Sequence, residues 1–514
     1  MFKVMIDNGA DLEGKDGQGY TALHHAAWTD DQPLITLLLD QGANIETKSA
    51  RHETALHMIG SPAKLEALRC LIDRGADINA TALNEVTALH RAAFYGAHTL
   101  IELLHAKGAL INKQTSYGST ALHLAVNGNS EELQKFGGPK TSGNPRMTSR
   151  DDERSTRTVQ LLLAQNADPN IRDKSESTAL KYAASNGKGT AISLLLDHGA
   201  EPDMQDQAGA TALHRAICNS HNDSAMLLMD GGANVTVELD CGWSALHYAV
   251  LTDNTKMIEV LLQRGADINA LDASRQTVLH LAASKGWKDA TETLLRHTDI
   301  INANDIKGNT PLHLVGQRMT TPPNTASLSI SPSSGNRALE DYQMQLMFLE
   351  QQKKRLMLKH PDPFSRLMTA YPKIHSKSST VGPSGNHAQP HLQTRNEKLR
   401  IWAEQAQDMV LAYIPSKPED HEAVAMMLIE RGPIVEIGEY DRSVMLTLAA
   451  QNGNERLVHL LLVYGVNANR KDNSEKRARH WVIGTDLVSV DDILRGYGED
   501  FDVPYASGNG LGIH

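Results

Sequence analysis

The hydrophobic and polar positions of residues 87–113 (TALHRAAFYGAHTLIELLHAKGALINK) predict two short helices. Thr87 can cap the first helix, because a threonine hydroxyl accepts a hydrogen bond from an unpaired N–H of the first turn. Gly96 separates the two helices, and Gly108 follows the second, where a left-handed residue commonly ends a helix. The apolar positions share one face of each helix: Leu89, Ala92 and Ala93 in the first, and Leu100, Ile101, Leu103 and Leu104 in the second. Two such short helices cannot bury these faces alone, so neighbouring copies are expected.

The same pattern recurs along most of the chain with a period of 33 residues. Most copies have a histidine as the fourth residue of the motif, as in TALHRAA. The one long step among them, from Thr120 to Thr178, is 58 residues, which is 25 more than the period. A glycine helix end follows 21 residues after many of the starts, as at Gly42 and Gly75. The copies begin at Thr21, Thr54, Thr87, Thr120, Thr178, Thr211, Ser244, Thr277 and Thr310.

This period and motif resemble the ankyrin repeat family over about four fifths of the chain. The resemblance implies an all-α repeat solenoid of helix–turn–helix units with short β-hairpin tips, about ten repeats with partial terminal repeats. Residues 2–14 match the second half of a repeat. Their apolar face is either a frayed terminal cap or a sign that the natural chain starts further upstream, and we expect the second. No secretory signal is evident, since Lys3 and Asp7 interrupt the only candidate apolar run.

The spacing predicts four segments. Residues 1–319 form an ankyrin array with a loop insertion near 130–155, where the sequence is rich in Gly, Pro, Ser and charge. Residues 320–420 are an insertion within one repeat, with low-complexity sequence and amphipathic helices. Residues 421–498 continue the array and end in a degenerate cap, and 499–514 form a flexible tail. Both insertions should leave from the joint between the two helices of a repeat, so the core stays intact.

The large insertion contains residues 337–359 (RALEDYQMQLMFLEQQKKRLMLK), whose apolar positions follow coiled-coil a/d spacing, with Lys353 as an interruption. This segment is a candidate for self-association or docking, and the alternative is a linker with transient helix. The string also resembles a helical segment that recurs in linkers of fungal proteins, which implies a fungal source.

Composition favours a protein-binding function in the cytoplasm or nucleus. The net charge of −11 argues against general nucleic-acid binding, which requires Lys and Arg to neutralise phosphates. No apolar run approaches the roughly 20 residues needed to cross a bilayer, which argues against a membrane protein. Three cysteines suit a reducing compartment, with Cys70 expected on a buried face and Cys218 and Cys241 at exposed positions.

The sequence gives little support for an enzyme. Histidines at the fourth motif position recur on helices about 8–10 Å apart, so they cannot share one metal ion and should instead form hydrogen bonds between repeats. Residues 186–190 (NGKGT) lack the spacing and flanking strand of a phosphate-binding loop. We therefore expect no catalytic residues, no metal and no cofactor.

The resemblance implies a partner-binding concave surface, formed by the tips before each motif and the residues just after it. Aromatic residues are only 4% of the chain, yet several fall at these positions in the early repeats. Aromatic anchors carry much of the binding energy at interfaces; the alternative is that these rings pack against neighbouring tips. The candidate partner-binding residues are Tyr20, Trp28, Phe94, Tyr95, Tyr117 and Trp243.

The predicted function is a non-catalytic adaptor or scaffold that binds one or more proteins on the concave ankyrin face. Two alternatives are the C-terminal sensor part of a larger signalling receptor and the substrate-recruiting subunit of a ubiquitin ligase. Coding sequence upstream of Met1 would favour the first. A recruiting helix within 337–414 that binds a ligase core would favour the second.

Overall fold

The computed structural model describes residues 2–58, 65–127, 149–298, 300–319, 418–431, 445–447, 449–451, 453–470, 476–482 and 487–498. The chain divides into two compact units, residues 1–237 and 238–514. Each unit is a stack of helix pairs.

The first unit contains twelve described α-helices and two 3₁₀ helices, Ala55–Met58 and Leu83–Glu85. The α-helices are α1 Phe2–Asp7, α2 Ala22–Thr29, α3 Gln32–Asp40, α4 Leu65–Asp73, α5 Ala88–Tyr95, α6 His98–Ala106, α7 Ala121–Asn127, α8 Ser149–Ala164, α9 Ala179–Ser185, α10 Gly189–Asp197, α11 Ala212–Cys218 and α12 Asn222–Asp230.

In the second unit, short helical turns at 445–447 and 449–451 precede α19. A 3₁₀ helix, Ala478–Trp481, precedes the last helix. The longer described helices are α13 Ala245–Leu251, α14 Thr255–Gln263, α15 Val278–Lys285, α16 Lys288–Leu295, α17 Pro311–Met319, α18 Pro418–Arg431, α19 Glu455–Val463 and α20 Val488–Gly498.

The helices pack in two layers within each unit. The first helices of successive repeats contact one another: α5 contacts α7, and α9 contacts α11. The second helices also contact one another, for example α8 and α10. Each layer buries the apolar face that the sequence pattern predicts: Leu89, Leu100 and Leu104, for example, are at most 2% exposed. The prediction of an all-α repeat solenoid is confirmed.

The predicted hairpin tips are present as tight turns. The first is closed by two backbone bonds, Asp16 N–H to Tyr20 O at 3.0 Å and Gly19 N–H to Asp16 O at 2.9 Å, and Ala50 N–H of the next tip donates to Gln18 O at 3.2 Å. One isolated strand bridge joins Glu238 and Ser244. The tips reverse too quickly for successive pairs to build a ladder, which strand assignment requires.

Helix α8 begins earlier than the sequence predicts. Residues 149–155 belong to the predicted loop near 130–155, yet α8 starts at Ser149. The polar residues of this segment indicated a loop, but they form the solvent face of an amphipathic helix. Glu153, Arg154 and Arg157 are exposed, while Ser155 and Thr158 are buried.

The second insertion lies largely outside the described residues, as do the segment 337–359 and the tail 499–514. Helix α17 ends at Met319 and α18 begins at Pro418. These two helices pack against each other, and α18 also contacts α16. The 3₁₀ helix Ala478–Trp481 contacts α20, which in turn packs on α19.

Candidate partner-binding surface

Three of the six candidate aromatic residues are exposed in the first unit. Trp28 lies in the last turn of α2 and is 40% exposed, and Tyr95 ends α5 and is 38% exposed. Tyr117 lies in the tip of the fourth repeat and is 36% exposed. Each of these three rings exposes part of its surface to solvent.

Phe94 and Tyr20 are half-buried. Phe94 packs against Val86 and Leu124 and makes an edge-to-face contact with Tyr95, with ring centroids 5.2 Å apart. Tyr20 donates its hydroxyl to Glu53 Oε2 at 2.7 Å. Burial and this hydrogen bond raise the pKa of Tyr20 to about 12, so its hydroxyl stays protonated near neutral pH. Both rings therefore support the surface more than they offer area to a partner.

The expectation that Trp243 is exposed is wrong. Its side chain is only 3% exposed, stacks on His247 with centroids 6.1 Å apart, and meets Tyr248 edge-on at 5.4 Å. Trp243 immediately precedes the motif, a position that faces inward: Glu53 and Val86 hold it in the second and third repeats and are at most 1% exposed. Placing this position at the outside of the tip caused the error.

Two cysteines also differ from expectation. Cys218 is buried at 5% exposure; it is the eighth residue of its motif, a position that is exposed at Trp28, half-buried at Phe94 and buried at Leu251. Cys241 is half-buried, and burial raises the pKa of its thiol to about 11. A thiol with so high a pKa is a poor nucleophile at neutral pH. Cys70, expected to be buried, is half-buried.

The motif histidines form the predicted hydrogen bonds between repeats. In the second repeat the Thr54 N–H donates to His57 Nδ1 at 3.2 Å, so Nδ1 carries no proton. The other ring nitrogen, Nε2, then donates to Val86 O of the next repeat at 3.1 Å. His24 repeats this geometry with Thr21 and with Glu53 O, at 3.1 and 2.8 Å. The prediction of a structural role is confirmed for these histidines.

Burial keeps this set of histidines neutral. It lowers the pKa of His57 to about 3, and the pKa of His90 to about 4. His214 and His247 are likewise lowered to about 4, again mainly by burial. These neutral rings, with a tautomer fixed as at His57, therefore serve a structural role between repeats.

The structure also shows polar contacts that the sequence pattern did not predict, between a tip and the first helix of the same repeat. The fifth residue of several motifs bonds to an aspartate in the tip of its own repeat. His25 Nε2 lies 3.0 Å from Asp16 Oδ2, Tyr182 donates to Asp173 Oδ2 at 2.6 Å, and Arg215 Nη2 donates to Asp206 Oδ2 at 2.7 Å. An aspartate five residues before the motif, followed by a polar fifth motif residue, is the signal that could have found these pairs.

Arg91 breaks this rule. Its own tip has Ala82 where the others have aspartate, and its guanidinium bonds instead to Glu53 of the preceding repeat. The Glu53 carboxylate accepts the Tyr20 hydroxyl as well, so three successive repeats meet in one buried network. Nothing in the 33-residue period predicts a contact between these side chains.

The stacked helix pairs, the capping threonines and the histidine bonds define a helical repeat protein. Two ankyrin family models match: one for three copies of the ankyrin repeat, at residues 56–136, 150–239, 199–272 and 246–317, and one for a single ankyrin repeat, at residues 18–50. Together these matches cover more than half of the chain, which belongs to the ankyrin repeat family. Ankyrin repeats generally mediate protein–protein interaction.

The crystal structure of the human ASB11 ankyrin repeat domain is similar to part of this chain. The two share 22% identity over 48% of this chain and 99% of that domain, with a TM-score of 0.39. No curated protein matches the sequence.

Proposed function

We propose that this chain is a non-catalytic adaptor or scaffold whose partner protein docks on the aromatic surface of the first unit. The observation that carries the proposal is the exposure of Trp28 and Tyr95 at the ends of two first helices, 40% and 38%. Aromatic residues are only 4% of the chain, and exposed aromatic side chains supply anchors at interfaces.

The other candidates take supporting roles in the proposal. Phe94 positions Tyr95 through their edge-to-face contact. Tyr117 extends the surface to the fourth repeat, and Tyr20 lines its beginning. Trp243 is left out of the surface, because its ring is buried.

The test is site-specific photocrosslinking followed by measured affinity. A benzophenone amino acid at position 28 or 95 should crosslink the same protein, which mass spectrometry identifies. Trp28→Ala and Tyr95→Ala should then weaken binding of that protein by about 2–4 kcal/mol, or roughly 30- to 1,000-fold. Tyr464→Ala is the matched control, since Tyr464 is also exposed, at 44%, but lies in the second unit. Equal loss in the control would contradict the proposed surface.

We also propose that residues 320–417 leave the array between the two helices of one repeat, since α17 and α18 pack together. Self-association through 337–359 stays a prediction, as do the fungal source, the cytoplasmic or nuclear location and the lack of nucleic-acid binding. The sensor and recruiting roles also stay predictions. Among the described helices none is long and apolar enough to span a membrane.

A further inference from the structure

The contact between Arg91 and Glu53 is a buried charged pair between the second and third repeats, which Lys107 and Asp73 also join by an exposed pair. Arg215 in the sixth repeat bonds to Asp206 of its own tip. Arg91 holds the same motif position in the third repeat, but it reaches back to Glu53 in the second. The Arg91 and Glu53 side chains are 10% and 2% exposed, so neither charge is solvated by bulk water.

The same network also bonds to the backbone of the second repeat and to the first repeat. Arg91 Nη1 donates to the carbonyl oxygen of His57 at 2.6 Å. Glu53 Oε2 accepts from the Tyr20 hydroxyl at 2.7 Å. A chain of hydrogen bonds therefore runs from the first repeat, through the second, to the third.

The second repeat differs from its neighbours in the first residues of its motif. Ala55–Met58 form a 3₁₀ helix, where α2 and α5 of the first and third repeats begin as α-helices. A 3₁₀ turn has poorer hydrogen-bond geometry than an α-helix. Trp28 and Tyr95 lie on the two flanking helices, so their separation depends on the second repeat.

We propose that Tyr20, Glu53 and Arg91 form a clamp across three repeats that fixes the separation of α2 and α5. The clamp thereby holds Trp28 and Tyr95 as one surface, and this second part rests on the proposed function. Buried ion pairs are weak evidence for stability, and conformational specificity is a recognised alternative reason for keeping them. The clamp is a positioning device.

A distance measurement tests the clamp without a partner. Gln41 and Ala106 are exposed near the ends of the second helices of the first and third repeats, and each can be replaced by an acetylphenylalanine that carries a spin label. This label leaves Cys70, Cys218 and Cys241 untouched. The intact chain should give one narrow distance distribution by double electron–electron resonance. Arg91→Ala should broaden it about twofold, because the second repeat loses this buried contact to the third. Arg215→Ala, at the same motif position, should leave it unchanged.

A second variant separates positioning from simple charge pairing. Glu53→Val with Ala82→Asp gives Arg91 a carboxylate in its own tip, as Arg215 has, and puts at position 53 the residue found at Val86. This variant should melt close to the wild type yet show the broadened distribution. A distribution as narrow as the wild type would overturn the clamp, as would equal broadening by Arg215→Ala. The photocrosslinking result does not depend on these distances, so failure of the proposed function can be told apart from failure of the clamp.

Discussion

His421 Nε2 donates a hydrogen bond to the carbonyl oxygen of Ser284, 137 residues earlier in the chain, at 3.3 Å. His221 makes the same contact with Ser185 at 3.1 Å, but across only 36 residues. In both places the imidazole lies over a glycine: a Cβ added at Gly286 or Gly187 would meet the ring at 2.6 Å. The two contacts span 137 and 36 residues, so they occupy equivalent positions if the later repeat contains 101 extra residues. We therefore propose that α18 takes the place of a second helix directly after α17.

This relationship predicts that the long insertion is dispensable for folding. Replacing residues 321–416 with a short Gly/Ser linker should leave α17 packed on α18, because the sequence predicts that the insertion leaves from a loop. The urea midpoint of the second unit should stay close to that of the intact chain. His421→Ala in the shortened chain is the control, and it should lower that midpoint. Loss of helical signal across the array on deletion alone would show that the insertion contributes to the core.

The residues that follow two second helices, Gly108 and Asn166, give a second prediction. Their substitutions should change the stability in opposite directions. Gly108 has φ +96°, and a Cβ there would meet nothing within 4 Å, so Gly108→Val should cost only backbone strain, about 1–3 kcal/mol. Asn166 takes the same place in the next repeat with φ +63°. Asn166→Gly should therefore raise stability slightly, by a few tenths of a kcal/mol. Urea denaturation measures both, and destabilisation by Asn166→Gly would contradict the assigned backbone strain.

Sequence and structure agree where a feature depends on one repeat alone. The capping threonine, the left-handed Gly108 and the apolar helix faces follow from local spacing, so the 33-residue period predicts them. Burial of Trp243 depends on which way the residue before the motif points, and the period does not show this. The bond from Arg91 to Glu53 depends on Ala82, since an aspartate there would offer a nearer partner. Such contacts between repeats depend on residues that differ from the consensus, and the repeat pattern does not show these residues.

Lys181 gives a third prediction, because it replaces the histidine of the motif in the fifth repeat. Its side chain is buried, and burial lowers its pKa to about 8, while its Nζ lies 3.4 Å from the carbonyl oxygen of Glu176. A histidine here could accept from the Thr178 N–H and donate to Ala210 O, as His24 and His57 do at the equivalent positions. Lys181→His should thus stabilise the protein by about 1–2 kcal/mol at pH 7.

The gain from Lys181→His should shrink at higher pH. The unfolded lysine keeps its proton up to about pH 10.4, while the native lysine loses it near 8, so the wild type becomes more stable as pH rises between these values. Urea unfolding at pH 7 and pH 9.5 measures the difference. A lower midpoint for Lys181→His at pH 7 would show that the fifth repeat needs the lysine.

The neutral histidines predict a loss of stability in mild acid. The pKa of His57 is lowered to about 3 and that of His90, His214 and His247 to about 4, in each case mainly by burial. Unfolded histidines titrate near 6.5. Above that pH both states are neutral, and these groups leave stability unchanged. As pH falls from about 6.5 towards 4, the unfolded chain takes up protons that the native state excludes, so the free energy of unfolding falls.

Each such histidine should contribute a slope of about 1.4 kcal/mol per pH unit within that window. Urea denaturation at pH 7.5, 6.5 and 5.5 isolates this contribution, because unperturbed carboxylates titrate near pH 4. His57→Gln removes one buried ring and should flatten the slope between pH 6.5 and 5.5 by about 1 kcal/mol per pH unit, whatever it does to the midpoint at pH 7.5. Lys181→His adds one and should steepen the slope. If His57→Gln leaves the slope between pH 6.5 and 5.5 unchanged, His57 binds its proton equally well in both states, and burial does not hold it neutral.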